Sequence, residues 1–302
     1  MKPPVMPNAV GRRAARIIRR HILSADLPWE RQRSRMAAAS IANRPPKGIV
    51  LSTDTMAGVP VEVISPESTE PSGTLIHVHG GGFTVGSPAL ARGWAAALAQ
   101  GLNLEVVLPD YRLAPEHPFP AGLDDVAAVL NGVLERWDPT TVALSGDSAG
   151  ANLALAATVR RVRAGDSLPG SLVLLSPWLD LTYDRLVDAE LVARDPMLSP
   201  EWLAAAAIAY APGRLGEPEV SPLLGSLSGL PPVLIQGGSD DILAPDAERL
   251  TLALEGRSKV SLSVAPTLWH DFALQVGQLK AANDALDVTI EHLTSTLSLP
   301  PR

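Results

Sequence analysis

The chain contains no cysteine and no long hydrophobic run. Without cysteine it can form no disulfide, no thiolate metal site and no cysteine nucleophile, and it does not depend on an oxidising compartment. No stretch approaches the roughly eighteen apolar residues of a membrane span, and the first forty residues lack the compact apolar segment of a secretory signal. We therefore expect a cytoplasmic protein without a membrane span.

Acidic and basic residues are unevenly distributed. The 302 residues carry a formal net charge of -7, yet residues 1–40 contain nine Lys or Arg against two acids. The segment GRRAARIIRRHIL places Ala15, Ile18 and Leu23 near one helical face, which describes a basic helix packed on an acidic body. Because the remainder shows no basic or aromatic patches, we predict no nucleic-acid partner.

The order of apolar segments predicts a single α/β domain over residues 1–302. Gly48 to Thr53 and Val59 to Ser65 are interpreted as an antiparallel pair, since the second alternates apolar and polar residues. Six later apolar runs are separated by segments long enough for helices, so we expect a mostly parallel sheet, buried on both faces by helices. These runs are TLIHVH, LEVVLPD, TVALSG, SLVLLS, PVLIQGG and VSLSVA.

The interval from Ser176 to Ser221 interrupts the alternation of strand and helix. It contains a polar stretch followed by SPEWLAAAAIAYAPG. Ser199 is the expected N-cap of this helix, and Pro200 occupies its first position. We interpret the interval as an insertion above the sheet rather than as a second domain.

The stretch LSGDSAGANLALA contains the pattern G-x-S-x-G centred on Ser148. A serine nucleophile has to be exposed, held tightly and served by a base. Gly146 and Gly150 allow a sharp turn between a strand and a helix to close around such a serine. The pattern also occurs by chance, however, and Ser145 fits the simpler role of a residue at the end of a strand.

A second motif, HVHGGGFTVGS, supports a catalytic interpretation. Three consecutive glycines are entropically costly, so they indicate backbone N–H groups that approach a ligand closely. One candidate ligand is the oxyanion of a tetrahedral intermediate, which fixed backbone donors stabilise. The alternative is a phosphate-binding loop, but such a loop continues G-K-[ST], whereas Phe83 follows here.

Five segments together resemble the hormone-sensitive-lipase-like (bacterial family IV) esterases, over roughly residues 45–295. They are HGGGF, YRLAPEHPFPAGLDD, GDSAGANLA, SPLL and WHDF. The resemblance implies an α/β-hydrolase fold of about eight strands, with a helical cap from about 1–45 and about 178–220. It also implies an oxyanion hole formed by the N–H groups of Gly81, Gly82 and Ala149, and Ala149 follows independently from the rule that the residue after the nucleophile donates.

In this fold the triad follows the chain order serine, acid, histidine. Only His270 and His292 lie late enough to be the base. His292 falls within a helical pattern and is interpreted as a surface residue, whereas His270 follows a predicted strand in a loop, so His270 is the predicted base. His77 and His79 are expected to organise the glycine loop, and His117 to be a structural turn residue.

The acid should follow the strand PVLIQGG, where two adjacent aspartates occur. The family motif aligns Asp240 with the catalytic acid, and Asp241 remains the alternative because the sequence departs from the commoner Asp-Pro-Leu form. Asp147 is expected to hold nearby loops through hydrogen bonds. Asp246 is assigned to the beginning of the next helix.

The motifs predict a serine carboxylesterase that acts on short to medium acyl esters without cofactor or metal. Phe83, Trp178, Trp202 and Leu203 are candidate pocket residues. Two alternatives stay open: a non-catalytic small-molecule receptor on the same fold, and a lactone or amide hydrolase with the same triad. Similar enzymes are often dimers, so a homodimer is kept as a hypothesis, although no interface signature is visible.

Overall fold

The computed structural model describes residues 5–40, 45–182 and 188–300. Within them, eight strands form one sheet in the order β1-β2-β4-β3-β5-β6-β7-β8. β2 pairs antiparallel with β1 and β4, and all other neighbours are parallel. The strands are β1 (Ile49–Met56), β2 (Val59–Pro66), β3 (Gly73–Val78), β4 (Leu104–Pro109), β5 (Val142–Asp147), β6 (Ser171–Leu175), β7 (Val233–Gly238) and β8 (Val260–Ala265).

Helices cover both faces of the sheet, as the alternation of segments predicts. Because side chains alternate along a strand, Leu75 packs in a layer with α3 and α9, whereas Ile76 packs in a layer with α4, α5 and α8. The described helices are α1 (Asn8–His21), α2 (Trp29–Ser40), α3 (Arg92–Leu102), α4 (Ala121–Arg136), α5 (Ala149–Ala164), α6 (Ala189–Arg194), α7 (Pro200–Tyr210), α8 (Ala244–Leu254) and α9 (Lys280–Thr296).

One strand departs from the expected burial on both faces. β8 forms the edge of the sheet and is only partly covered, with Val264 44% exposed. An edge strand has a neighbour on one side alone. The nearly continuous apolar run at 260–265, which includes Ser261 and Ser263, is therefore not sufficient to indicate a central strand.

His292 is buried, so its interpretation as a surface residue is wrong. It lies on α9, and its Nε2 is 2.8 Å from Ser171 Oγ on β6. The helical pattern identified its element correctly. The helical pattern alone could not show that His292 faces the sheet and contacts the hydroxyl of Ser171.

The segments expected to cap the site contact one another. Ser199 begins α7 as predicted, since its Oγ accepts a hydrogen bond from Trp202 N at 3.3 Å. Trp202 Nε1 in turn donates to Gln32 Oε1 on α2 at 2.9 Å. Residues 1–4, 41–44 and 183–187 of the predicted cap lie outside the described residues.

The carboxyl ends of β5, β7 and β8 lie at the same edge of the sheet. Parallel strands bring their carboxyl ends to one edge of the sheet, which is where α/β proteins bind ligands. Ser148 follows β5, Asp241 follows β7 and His270 follows β8. No helix among the described residues is long and apolar enough to cross a membrane.

Candidate active site

Ser148 occupies a sharp turn between β5 and α5. Its backbone has φ 53° and ψ −119°, a strained conformation for a residue with a side chain. The turn closes because its flanking positions are glycine: a Cβ on Gly146 would lie 2.4 Å from Gly150 C, and a Cβ on Gly150 would lie 2.0 Å from Val78 O. The predicted sharp turn between strand and helix is present, and Ser148 lines a cavity.

Ser145 has the structural position expected of it. It is fully buried on β5, and its Oγ lies 3.1 Å from His77 Nδ1. It therefore belongs to the support beneath the elbow and does not line the cavity.

The glycine loop presents unpaired backbone donors beside Ser148. Gly81 has φ 118°, and a Cβ there would lie 2.2 Å from Val85 O, so only glycine fits. Within residues 5–40, 45–182 and 188–300, no protein group accepts a hydrogen bond from the N–H of Gly81, Gly82 or Ala149. All three predicted oxyanion donors are thus available, and Gly81, Gly82 and Ser148 line one cavity.

Asp147 holds the glycine loop against the elbow, which confirms its predicted structural role. Its Oδ2 accepts from Gly80 N at 2.9 Å, and its Oδ1 lies 3.0 Å from His77 Nε2. His79 lies alongside, with its Nδ1 2.8 Å from Gly80 O, and it stacks on Tyr111. Burial lowers the pKa of His79 and so favours its neutral ring, and the side chain does not line the cavity.

Asp241, and not the favoured Asp240, contacts His270. Asp241 Oδ2 lies 2.9 Å from His270 Nδ1, and both side chains are almost fully buried. Leu243 N donates to the Asp241 carboxylate at 2.9 Å and fixes its orientation. Of the two adjacent aspartates, the alternative therefore has the geometry of a triad acid.

The side chain of Asp240 turns towards α1 instead. Its Oδ2 lies 2.6 Å from Arg12 Nη1, and Arg12 also donates to Thr267 O at 2.9 Å. Successive side chains in the turn after β7 thus have different partners, one in the site and one on α1. Motif alignment missed this because the partner of Asp240 lies 228 positions earlier in the chain.

Asp195 supports the acid loop and was not identified from the sequence. Its Oδ2 accepts from Ile242 N at 2.9 Å, while its Oδ1 accepts from Met197 N at 2.7 Å and Leu198 N at 3.0 Å. Burial and the charge of Asp241 raise the pKa of Asp195. The carboxylate joins the insertion to Ile242, the residue after Asp241, and no short sequence motif predicts such a contact.

The charges around His270 favour its protonated form. Burial alone would lower the pKa of this imidazole, but the charges and hydrogen bonds of Asp241 and Asp271 outweigh burial and raise it well above 6.5. An imidazolium formed at His270 is therefore stabilised by the surrounding protein.

The cavity has a volume of about 310 Å³ and is mostly apolar. Of the four predicted pocket residues only Trp202 lines it. Phe83 is stacked on Tyr210 with ring centroids 3.8 Å apart, and Trp178 and Leu203 are completely buried. All three belong to the core: Trp178 and Leu203 hold the insertion to the sheet, and Phe83 of the glycine loop packs on Tyr210. Instead α1 and α2 line the cavity, through Ala14, Ala15, Ile18, Met36 and Ala39.

Among the described residues, no group of three or more His, Cys, Asp or Glu side chains is arranged to hold a metal ion. The chemistry of the site has to be derived from the serine, the imidazole, the carboxylates and the backbone donors.

Comparison with known proteins identifies the family that the chain belongs to. A family with the alpha/beta hydrolase fold matches residues 75–274. An esterase of Acinetobacter venetianus is 36% identical over 244 residues, covering 80% of each chain. The carboxylesterase NlhH of Mycobacterium tuberculosis is 35% identical, covering 74% of this chain and 75% of its own. A crystal structure of an esterase from the bacterial hormone-sensitive lipase family superimposes with a TM-score of 0.90 at 29% identity, covering 97% of this chain and 100% of that chain.

The fold and the site define a serine hydrolase of the α/β-hydrolase class. More narrowly, the chain belongs to the hormone-sensitive-lipase-like (bacterial family IV) esterases, and it is a serine carboxylesterase.

Proposed function

We propose that the protein hydrolyses short to medium acyl esters through an acyl-enzyme on Ser148, with His270 as base and Asp241 as the acid that orients it. The observation that carries this proposal is the 2.9 Å contact between Asp241 Oδ2 and His270 Nδ1, beside a serine on a strained elbow. The revised acid replaces Asp240, whose carboxylate is paired with Arg12.

In the first half of the reaction, Ser148 Oγ attacks the ester carbonyl as its proton moves to His270 Nε2. The carbonyl oxygen becomes an oxyanion, which accepts hydrogen bonds from the N–H groups of Gly81, Gly82 and Ala149. Collapse of the intermediate breaks the bond to the alcohol oxygen. His270 returns the proton to that oxygen, and the alcohol leaves.

In the second half, His270 takes a proton from water, and the resulting hydroxide attacks the acyl-enzyme. A second oxyanion forms on the same three donors. Its collapse breaks the bond to Ser148 Oγ, which recovers its proton from His270 and releases the carboxylic acid. Asp241 remains ionised throughout and stabilises the imidazolium by its charge.

The proposed substrate range is supported by the size and lining of the cavity. About 310 Å³ of mostly apolar space lies near the lower end of the range for small-molecule sites. We propose that residues 1–45 and 178–220 cap this cavity, because described residues of both segments line it. A capped apolar cavity of this size favours small esters over extended lipid chains.

The test is a chain-length series of p-nitrophenyl esters with wild-type protein and Ser148→Ala. We expect the highest kcat/KM for acyl chains of intermediate or shorter length, and a loss of at least about 10³-fold in the variant. A fluorophosphonate should label Ser148 in the wild type, as located by peptide mass spectrometry. Equal rates in both proteins, or tight ester binding without turnover, would contradict the proposal.

A further inference from the structure

Asp271 provides a second carboxylate next to the proposed base. Its Oδ2 lies 3.2 Å from His270 Nε2, the nitrogen that has to receive the serine proton, while Asp241 occupies Nδ1 at 2.9 Å. The imidazole is thus flanked by a carboxylate at each ring nitrogen. The triad mechanism requires only the carboxylate at Nδ1, so the role of Asp271 needs its own explanation.

The position of Asp271 is built into the fold. Its backbone is left-handed, with φ 54°, and its N–H donates to Ser176 Oγ at 3.1 Å. Its side chain is 13% exposed and lines the same cavity as Ser148. Among the described residues its Oδ1 is buried and has no hydrogen-bond partner. His270 Nε2 is accordingly the side-chain contact that holds this carboxylate.

An ionised carboxylate 3.2 Å from Nε2 stabilises a proton on that nitrogen and disfavours its bare lone pair. With Asp241 and Asp271 both ionised, their charges therefore favour the imidazolium form of His270. An imidazolium has no lone pair to accept the Ser148 proton. The contact at Nε2 therefore competes with catalysis.

We propose that Asp271 is a positioning residue that keeps His270 protonated at Nε2 in the resting enzyme and so moves the onset of activity to higher pH. The inference rests on the proposed function of His270. As the pH rises, the Nε2–H bond releases its proton to solvent water, the ring becomes neutral, and its lone pair becomes available to Ser148. Nothing else is transferred in this step.

The remaining charges near His270 are in keeping with this role. Burial raises the pKa of Asp271 to about 7, so its charge develops in the range where a neutral base is needed. Asp147 faces Asp271, but it is engaged by His77 and Gly80. Asp195 is a further carboxylate whose charge interacts with those of Asp241 and His270. The cations of α1 nearby are Arg12, paired with Asp240, and Arg19, which donates to Asp195 O.

The test compares wild type with Asp271→Asn, because asparagine keeps the shape of the side chain and tolerates left-handed backbone. The pH dependence of kcat/KM for p-nitrophenyl acetate should show an acid limb displaced by at least about one pH unit to lower pH in the variant. Nitrogen-15 NMR of the His270 imidazole, recorded without substrate, should show its titration displaced equally.

Asp240→Asn serves as the matched control, since it removes a carboxylate close to the site that does not touch the imidazole. Its acid limb should coincide with that of wild type. Asp271→Gly tests the same prediction if asparagine impairs folding. A coincident acid limb and imidazole titration in wild type and Asp271 variants would overturn the inference. The NMR titration needs no turnover, so failure of the proposed esterase activity would be recognised separately.

Discussion

Arg12 Nη1 on α1 lies 2.6 Å from Asp240 Oδ2, one residue before the acid that contacts His270. The guanidinium also donates to Thr267 O at 2.9 Å and to Arg194 O at 2.5 Å. One side chain therefore connects the N-terminal helix to both loops that carry the acid and the base, and to the insertion. This arrangement gives the two adjacent aspartates different roles.

Exchanging each aspartate for asparagine should separate those roles. Asp241→Asn removes the charge that stabilises the imidazolium and fixes its tautomer, so kcat should fall by about 10³- to 10⁴-fold. Asp240→Asn removes the partner of Arg12 and a longer contact with Arg194 but no contact with His270, so kcat should stay within about threefold of wild type. Steady-state kinetics on one ester at one pH decides the assignment.

The same two variants would also reveal a wrong assignment of the triad acid. If Asp240→Asn were the inactive variant and Asp241→Asn retained kcat, the triad acid would be Asp240 after all. Thermal unfolding of both proteins shows whether any loss of rate comes from unfolding.

Arg12→Gln should loosen α1 without changing the triad. The partly buried, charge-assisted hydrogen bond is worth about 1.5–3 kcal/mol. Because α1 lines the cavity, KM should rise more than kcat falls, and limited proteolysis should cleave sooner within residues 5–40.

Arg13→Gln is the control for the Arg12 variant, since Arg13 is an exposed neighbour on the same helix. It removes the same charge from the same segment and should leave KM and the proteolysis pattern unchanged. Equal effects of both substitutions would mean that net charge, rather than the contact with Asp240, holds α1.

The elbow, the glycine loop and the position of His270 in a loop after β8 could be predicted from the sequence because each depends on local chemistry. Gly146 and Gly150 are required by the turn around Ser148, and Gly81 by a positive φ. Alternating strand and helix segments likewise predict the parallel sheet. In each case the residues that determine the feature lie within a few positions of it.

Features fixed by distant contacts could not be predicted in this way. Asp240 and Asp241 are neighbours of the same residue type, and they are distinguished by partners distant in the sequence, Arg12 and Arg194 for Asp240 and His270 for Asp241. The prediction that Phe83 lines the pocket is wrong for a similar reason, because its ring is stacked on the ring of Tyr210. Hydrophobicity indicates that such a side chain is buried, but it does not indicate against which partner.

Protonation of the buried His292 ring should make the protein less stable as the pH falls. Burial, together with the charge of Lys259, lowers its pKa to about 4 from 6.5, so the folded state takes up this proton less readily than the unfolded state. The stability that depends on the neutral ring is complete above pH 6.5 and is lost as the pH falls towards 4. Allowing for solvent screening, the loss should be about 1 kcal/mol at pH 5.

Urea unfolding at pH 7 and pH 5 measures this contribution. His292→Gln cannot titrate, so its free energy of unfolding should fall less between the two pH values than that of wild type. His21→Gln removes an exposed histidine and should reproduce the wild-type difference. An equal fall in the wild type and the His292 variant would show that His292 does not contribute to the acid sensitivity.

Trp202 should limit the length of the acyl chain. Its ring tip closes the cavity over the glycine loop, since a Cβ on Gly82 would lie 2.7 Å from Trp202 Cη2. Trp202→Leu shortens the side chain but keeps it apolar. Each further methylene that the enlarged cavity accepts should raise kcat/KM by about fourfold relative to the acetate ester, following about 0.8 kcal/mol per buried methylene.

Trp137→Leu, at a half-buried tryptophan away from the cavity, should leave the chain-length profile unchanged. A profile that is the same in wild type and Trp202→Leu would show that another part of the cavity wall sets the limit.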